Sequence, residues 1–172
     1  LVLASSTGAT FAYLAAATGS APGVAGMAFL SPNFGPANAS SQLLLFPWAK
    51  AWVPLVVGEE RSWEPTNEAH GRYWTTRYPI EALFPMMASV AAARDADPDR
   101  VALPLRVFVH PGDDVVSPQS TREVLSAVAA PVEITEVEGP GDTHVLAGDI
   151  LSPARTGTIA QDILTWARDL PD

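Results

Sequence analysis

The sequence predicts an α/β fold: a mainly parallel sheet flanked by helices, with a helical cap inserted into it. Two observations carry that prediction. The first thirty residues read as strand, helix and strand with short connections, a βαβ unit that closes as a parallel pair. After a long interruption, apolar runs of strand length return at residues 105–109 and 132–137, separated by another helical stretch.

Taken in order, residues 1–4 are an apolar strand stub. Residues 6–18 follow as a helix, because the run Phe11-Ala-Tyr-Leu-Ala-Ala-Ala has high helical propensity and Gly19 can stop it in a left-handed conformation. Residues 24–30 are a buried strand ending at Ser31-Pro32-Asn33. Residues 34–104 change character: four of the five tryptophans (Trp48, Trp52, Trp63, Trp74) fall here, among many prolines. Residues 40–57 have helical spacing that Pro47 and Pro54 break or kink, and residues 79–93 form a second helical stretch with Pro85 as a kink. No strand alternation is visible, so the segment reads as a helical cap between two parts of one core, residues 1–33 and 105–172. Residues 105–109 are a short buried strand, and Ser117-Pro118 cap a helix to about residue 129. Residues 132–137 are the last strand, with Glu133 and Glu136 on a solvated side or edge. A Gly-rich turn leads to His144, and Ser152-Pro153 open a final amphipathic helix carrying Ile159, Ile163 and Trp166.

Composition narrows the function classes. The 172 residues contain 48% hydrophobic residues, enough for a core, and no apolar run long enough to span a bilayer. A net charge of −9 argues against nucleic acid and anionic membrane surfaces, both of which need clustered Lys and Arg. With no cysteine there are no disulfides, thiol catalysis or Cys-based metal sites, and the compartment stays open, with a soluble, cytoplasmic setting slightly favoured. The opening on Leu1, already inside an apolar run, suggests the C-terminal portion of a larger protein whose N-terminal half lies upstream.

The chemistry is concentrated in three places. Leu3-Ala-Ser-Ser-Thr-Gly8 has the layout of a nucleophile elbow, a sharp strand-to-helix turn with Ser6 at its apex. Such a turn needs small flanking residues, here Ala4 and Gly8, and sets the Thr7 amide where negative charge on a substrate oxygen would develop. Asp114 and His144 follow in the order acid then histidine, each after its own predicted strand. A serine hydroxyl is a poor nucleophile until a neutral imidazole takes its proton, and a carboxylate fixes the imidazole tautomer.

These segments resemble the α/β-hydrolase superfamily, on the side of carboxylesterases and monoacylglycerol lipases. The matching stretches are Leu-Ala-Ser-Ser-Thr-Gly-Ala-Thr at the start, Gly-Asp-Asp-Val-Val-Ser-Pro at 112–118 and Asp-Thr-His-Val-Leu at 142–146. The family's acid motif, Asp-x-Val-x-Pro, is met by Asp114, Val116 and Pro118, which selects Asp114 over Asp113. The resemblance implies a serine hydrolase acting on a small-molecule carboxylic ester without cofactor or metal. In it Ser6 is the nucleophile, His144 the base, Asp114 the orienting acid and Thr7 N–H half of the oxyanion hole. It also implies that residues 34–104 form the variable cap and that the second oxyanion amide lies upstream. Ala4 departs from the glycine usual at the first elbow position.

Other readings compete with each of these. Ser6 could simply cap a helix, Asp113 and Asp114 could form a turn, and His144 could be a solvated loop residue. His110 reads as structural, and His70 has no identifiable partner. The aromatic residues, above all Trp48, Trp52 and Trp74, could line a substrate pocket or form the cap's own core. Glu59, Glu60, Glu64 and Glu68 read as a solvated face and not a metal site. Asp95, Asp97 and Asp99 lack the glycine and distal glutamate of a calcium loop. Two further functions stay open: a non-catalytic binding domain of this fold, and the same three residues acting on amides, thioesters or lactones.

Overall fold

The computed structural model describes residues 1–170. Four strands, β1 (Val2–Ser5), β2 (Met27–Leu30), β5 (Leu105–Val109) and β6 (Val132–Glu136), form one sheet in the order β1-β2-β5-β6, parallel throughout. The two central strands are buried along their whole length, so they read as unbroken apolar runs in the sequence. The pleat divides their side chains between two cores. Met27, Phe29, Leu105, Val107 and Val109 meet α1 (Thr7–Ala17) on one face, together with Leu125 of α5 (Pro118–Leu125). Ala28, Leu30 and Phe108 meet Ile159 and Ile163 of α6 (Pro153–Arg168) on the other.

Arg106 points to the α6 face as well. Its guanidinium, nearly buried, makes a two-pronged ion pair with Asp162, both bonds at 2.7 Å, and stacks over Phe108 at 4.7 Å. The pair ties α6 to the centre of the sheet. At the far side β1 is an edge strand, with Leu3 exposed on it, Leu1 exposed just before it and Phe11 exposed on the following helix.

The interrupting segment is less helical than expected. A 3₁₀ turn (Ala39–Leu45) ends before Pro47, and α2 (Ala49–Val57) follows with Pro54 inside it. Two three-residue strands, β3 (Glu60–Ser62) and β4 (Arg77–Pro79), then pair antiparallel around α3 (Glu68–Tyr73). The sequence showed no alternation there, because three residues are too few to establish a period. Finally α4 (Leu83–Asp95) leaves the insertion and packs on α1, where Ala93 and the following Val101 join the main core. Pro85 causes no break, because it sits in the first turn of α4, where its missing N–H has no intrahelical acceptor. No helix among the described residues is long and apolar enough to cross a membrane.

Candidate active site

Because every strand of the main sheet runs the same way, the residues following β1, β2, β5 and β6 gather at one edge. Ser6 is the first of them. Its backbone has φ 51° and ψ −127°, a conformation costing a non-glycine residue about 1–3 kcal/mol. Main-chain bonds hold it there: its N–H donates to Leu30 O (3.0 Å), and its C=O accepts from Ala9 (3.0 Å) and Asn33 (3.1 Å). The Ser6 side chain makes no capping bond to α1. Instead Ser6 Oγ lies 3.0 Å from Nε2 of His144. The space beside Gly8 is open, with no atom within 4 Å of where a Cβ would stand. The expected steric demand for glycine at that position is therefore absent among the described residues.

The other imidazole nitrogen, Nδ1, is 3.0 Å from Oδ2 of Asp113, whose side chain is 1% exposed. This corrects the expectation of Asp114. In the turn after β5, Asp113 Oδ1 accepts the N–H groups of Val115 (2.9 Å) and Val116 (3.0 Å), which draws its side chain inward. Asp114, one residue on, is exposed and lines a cavity beside Ser6 without touching the imidazole. Burial alone would raise the Asp113 carboxyl. The hydrogen bond with His144 and the two backbone amides outweigh it and hold the group below its ordinary 3.8.

His144 stands on a loop that is fastened from behind. Asp142 Oδ1 accepts from the N–H of His144 (2.8 Å) and of Val145 (2.7 Å). Arg155, buried on α6, donates to the carbonyls of Pro140 (3.1 Å) and Asp142 (2.6 Å). Ser152 does not cap α6 as its Ser-Pro sequence suggests; its hydroxyl joins Val145 O and Asp142 N–H across the same loop. Gly141 has φ 134°, and a Cβ there would collide with Arg155 Nη2 and Ser152 Oγ, so this glycine is required.

The Thr7 N–H occupies the first position of α1, where the helix offers it no acceptor. Asn33, which sequence reasoning passed over, is nearly buried at the same spot. Its Nδ2 donates to Thr7 Oγ1 (3.3 Å) and approaches Met86 Sδ (3.2 Å), while its main chain holds Ser6 and Thr10. The only signal for it was its place after a strand adjoining the serine turn.

Two cavities flank the Ser6–His144 contact. One, of about 490 Å³, is lined by Ser6, Thr7, Asn33, Leu44, Leu83, Met86 and Asp114. The other, of about 780 Å³, is lined by His144, Trp63, Tyr73, Trp74 and Val145. Trp74 shares the cavity lined by His144 and does not line the one beside Ser6. Trp52 instead lines a third cavity of about 490 Å³ that shares Ser41, Leu44, Arg61 and Leu83 with the first. Trp48 lines none of them: it stands in a left-handed conformation at the cap before α2 and is 85% exposed. His70, expected to lack a partner, is buried with Nδ1 accepting from Thr66 N–H (3.1 Å) and its ring edge-on to Trp74. His110 is structural: its Nδ1 accepts from Gly112 N–H (3.0 Å).

A serine hydroxyl, an imidazole and a buried carboxylate joined in this order can pass a proton from oxygen to nitrogen while the resulting charge is offset. No protein-family profile and no curated protein sequence matches the chain. It is similar in structure to the monoacylglycerol lipase of Paleococcus ferrophilus, with 18% identity over 95% of this chain and 66% of that one, at a TM-score of 0.69. A metagenome-derived lipolytic enzyme of the LipS and LipT pair gives 16% identity over 96% and 63%, at 0.72. A soluble variant of the monoglyceride lipase of Saccharomyces cerevisiae gives 10% over 95% and 59%, at 0.68. The chain spans less than two thirds of each of these structures. At such identities the likeness is one of fold: a parallel sheet flanked by helices, matching α/β-hydrolase structures over part of their length.

Proposed function

We infer that the chain is the reactive part of a serine hydrolase that cleaves carboxylic esters through an acyl-enzyme intermediate. The observation that carries this reading is the unbroken hydrogen-bonded line from Ser6 Oγ through His144 to Asp113. Ser6 Oγ attacks the ester carbonyl carbon and its proton passes to His144 Nε2. Asp113 keeps the Nδ1–H tautomer and offsets the imidazolium charge. The Thr7 N–H donates to the oxyanion. Collapse of the tetrahedral species breaks the bond to the alcohol, which leaves with the proton from His144. Water then attacks the acyl group, delivers a proton to His144, and the acid departs as Ser6 recovers its hydrogen. Ester and water become acid and alcohol, with no other reactant.

The acyl group lies in the cavity beside Ser6, where Leu44, Leu83 and Met86 favour an apolar chain. Its continuation past Leu43, Trp52 and Val53 gives room for a longer tail. Residues 34–104 act as the cap that selects it. We place the second oxyanion donor and the neighbouring strands upstream of residue 1. The free edge of β1, the exposed Leu1, Leu3 and Phe11, and the partial span of similar structures support that placement.

A single oxyanion donor also keeps a non-catalytic binding domain in view, and one experiment separates the two. The full-length protein mixed with 4-nitrophenyl esters of two to twelve carbons should release a burst of nitrophenol stoichiometric with enzyme, absent in Ser6→Ala. No turnover of any chain length, with ligand binding unaltered in Ser6→Ala, would overturn the hydrolase reading.

A further inference from the structure

One pair of side chains rims both cavities at the reacting centre. Arg61 and Tyr78 are register partners in the β3–β4 pair, and opposed residues of an antiparallel pair project to the same face. Each lines the cavity beside Ser6 and the cavity beside His144. The adjoining charges, Glu60 and Arg77, neutralise each other. Arg61 itself has no carboxylate within 4.0 Å among the described residues. In a protein of net charge −9, this uncompensated guanidinium stands at the mouth of the site as an attractor for an anion.

The two cavities differ in their lining. Asp114 lines the Ser6 side, and its exposed carboxylate repels an anion there. On the His144 side the carboxylate is Asp142, whose charge is partly offset by two backbone N–H groups donating to Oδ1. That side is also aromatic, with Trp63 edge-on to Tyr78 at 5.7 Å and Trp74 beside them. If His144 protonates the departing alcohol, the alcohol half of the ester occupies the cavity that His144 lines.

We propose that the preferred substrate is an ester whose leaving alcohol is an aromatic ring bearing a negative charge, held by Arg61 with Tyr78 beside it. The assignment to the alcohol half rests on the hydrolase reading; the anion site itself does not. The test compares 4-acetoxybenzoate with its neutral isostere 4-acetoxybenzamide in the full-length protein, wild type against Arg61→Gln and Arg61→Lys. The ratio of kcat/KM for the anionic to the neutral ester should fall about fivefold in Arg61→Gln and recover partly in Arg61→Lys. In parallel, tryptophan fluorescence follows binding of 4-hydroxybenzoate and 4-hydroxybenzamide. Preference for the anion in wild type, lost in Arg61→Gln, supports the anion site even where no 4-nitrophenyl ester is turned over, an outcome that sinks the hydrolase reading alone. Turnover of 4-nitrophenyl esters with neither acetoxy ester hydrolysed would overturn the proposal and leave the hydrolase reading standing. Hydrolysis of both esters with a ratio unchanged within twofold on removing Arg61 would overturn the proposal and leave the hydrolase reading standing. Equal binding of the two phenols in wild type would also overturn it.

Discussion

The floor of the site and the insertion above it are built on opposite principles. On the floor, Ser6, Asp113 and His144 each sit on a turn fixed by main-chain hydrogen bonds and buried side chains. In the insertion the elements before α4 are three to nine residues long, and Trp48, Leu55, Val56 and Val57 are exposed. One bond from Asn67 Nδ2 to Ile150 O (3.0 Å) joins α3's cap to the histidine loop. Reactive groups placed to within tenths of an ångström need a rigid support, whereas the walls that choose a substrate can yield. Substitutions on the floor should therefore act on turnover, and those in the insertion on substrate preference.

The sharpest break in that comparison is between neighbours. Asp113→Asn should lower kcat about 10⁴-fold by losing the correct imidazole tautomer, while Asp114→Asn should stay within about threefold. Steady-state rates on one ester settle it; equal losses would mean that the acid turn moves when substrate binds. Next in size is the support behind His144. Arg155→Met removes both bonds to the loop carbonyls, and Gly141→Ala drives a methyl into that guanidinium; each should cost about 10–100-fold in kcat with KM little changed.

Stability offers a further contrast. Asp113 is held below its ordinary value in the folded chain, so its charged form stabilises the fold above pH 3.8. That contribution is lost as pH falls from there through the lower native value. The difference in Tm between wild type and Asp113→Asn should accordingly shrink as pH drops below about 4. The smallest effects belong to the insertion: Trp74→Ala should raise KM severalfold at nearly constant kcat, and Trp48→Ala should leave both unchanged.

The same contrast explains what was legible in the sequence. Central parallel strands are buried on both faces, so Met27–Leu30 and Leu105–Val109 stand out as apolar runs without needing a partner to be known. Ser6 and His144 stood out because an elbow and a Gly-rich turn leave local signatures. Asp113 and Asp114 satisfy one motif almost equally, and only the direction of the turn, set by the amides of Val115 and Val116, decides between them. The strand pair β3–β4 is too short to show a period, and Trp48 stands at the cap before α2, outside the helix whose spacing is readable. Asn33 and Arg155 make their contacts across the fold, and no pattern of neighbours along the chain announces such residues.

The central claim is that His144, oriented by Asp113, activates the hydroxyl of Ser6. Incubation of the full-length protein with a fluorophosphonate, followed by intact mass and peptide mapping, tests it most directly. The account predicts one adduct per chain, carried on Ser6 and formed at least 10²-fold more slowly in Asp113→Asn, about the scale of one general-base contribution. No adduct on Ser6, or labelling at the same rate in Asp113→Asn, would contradict it.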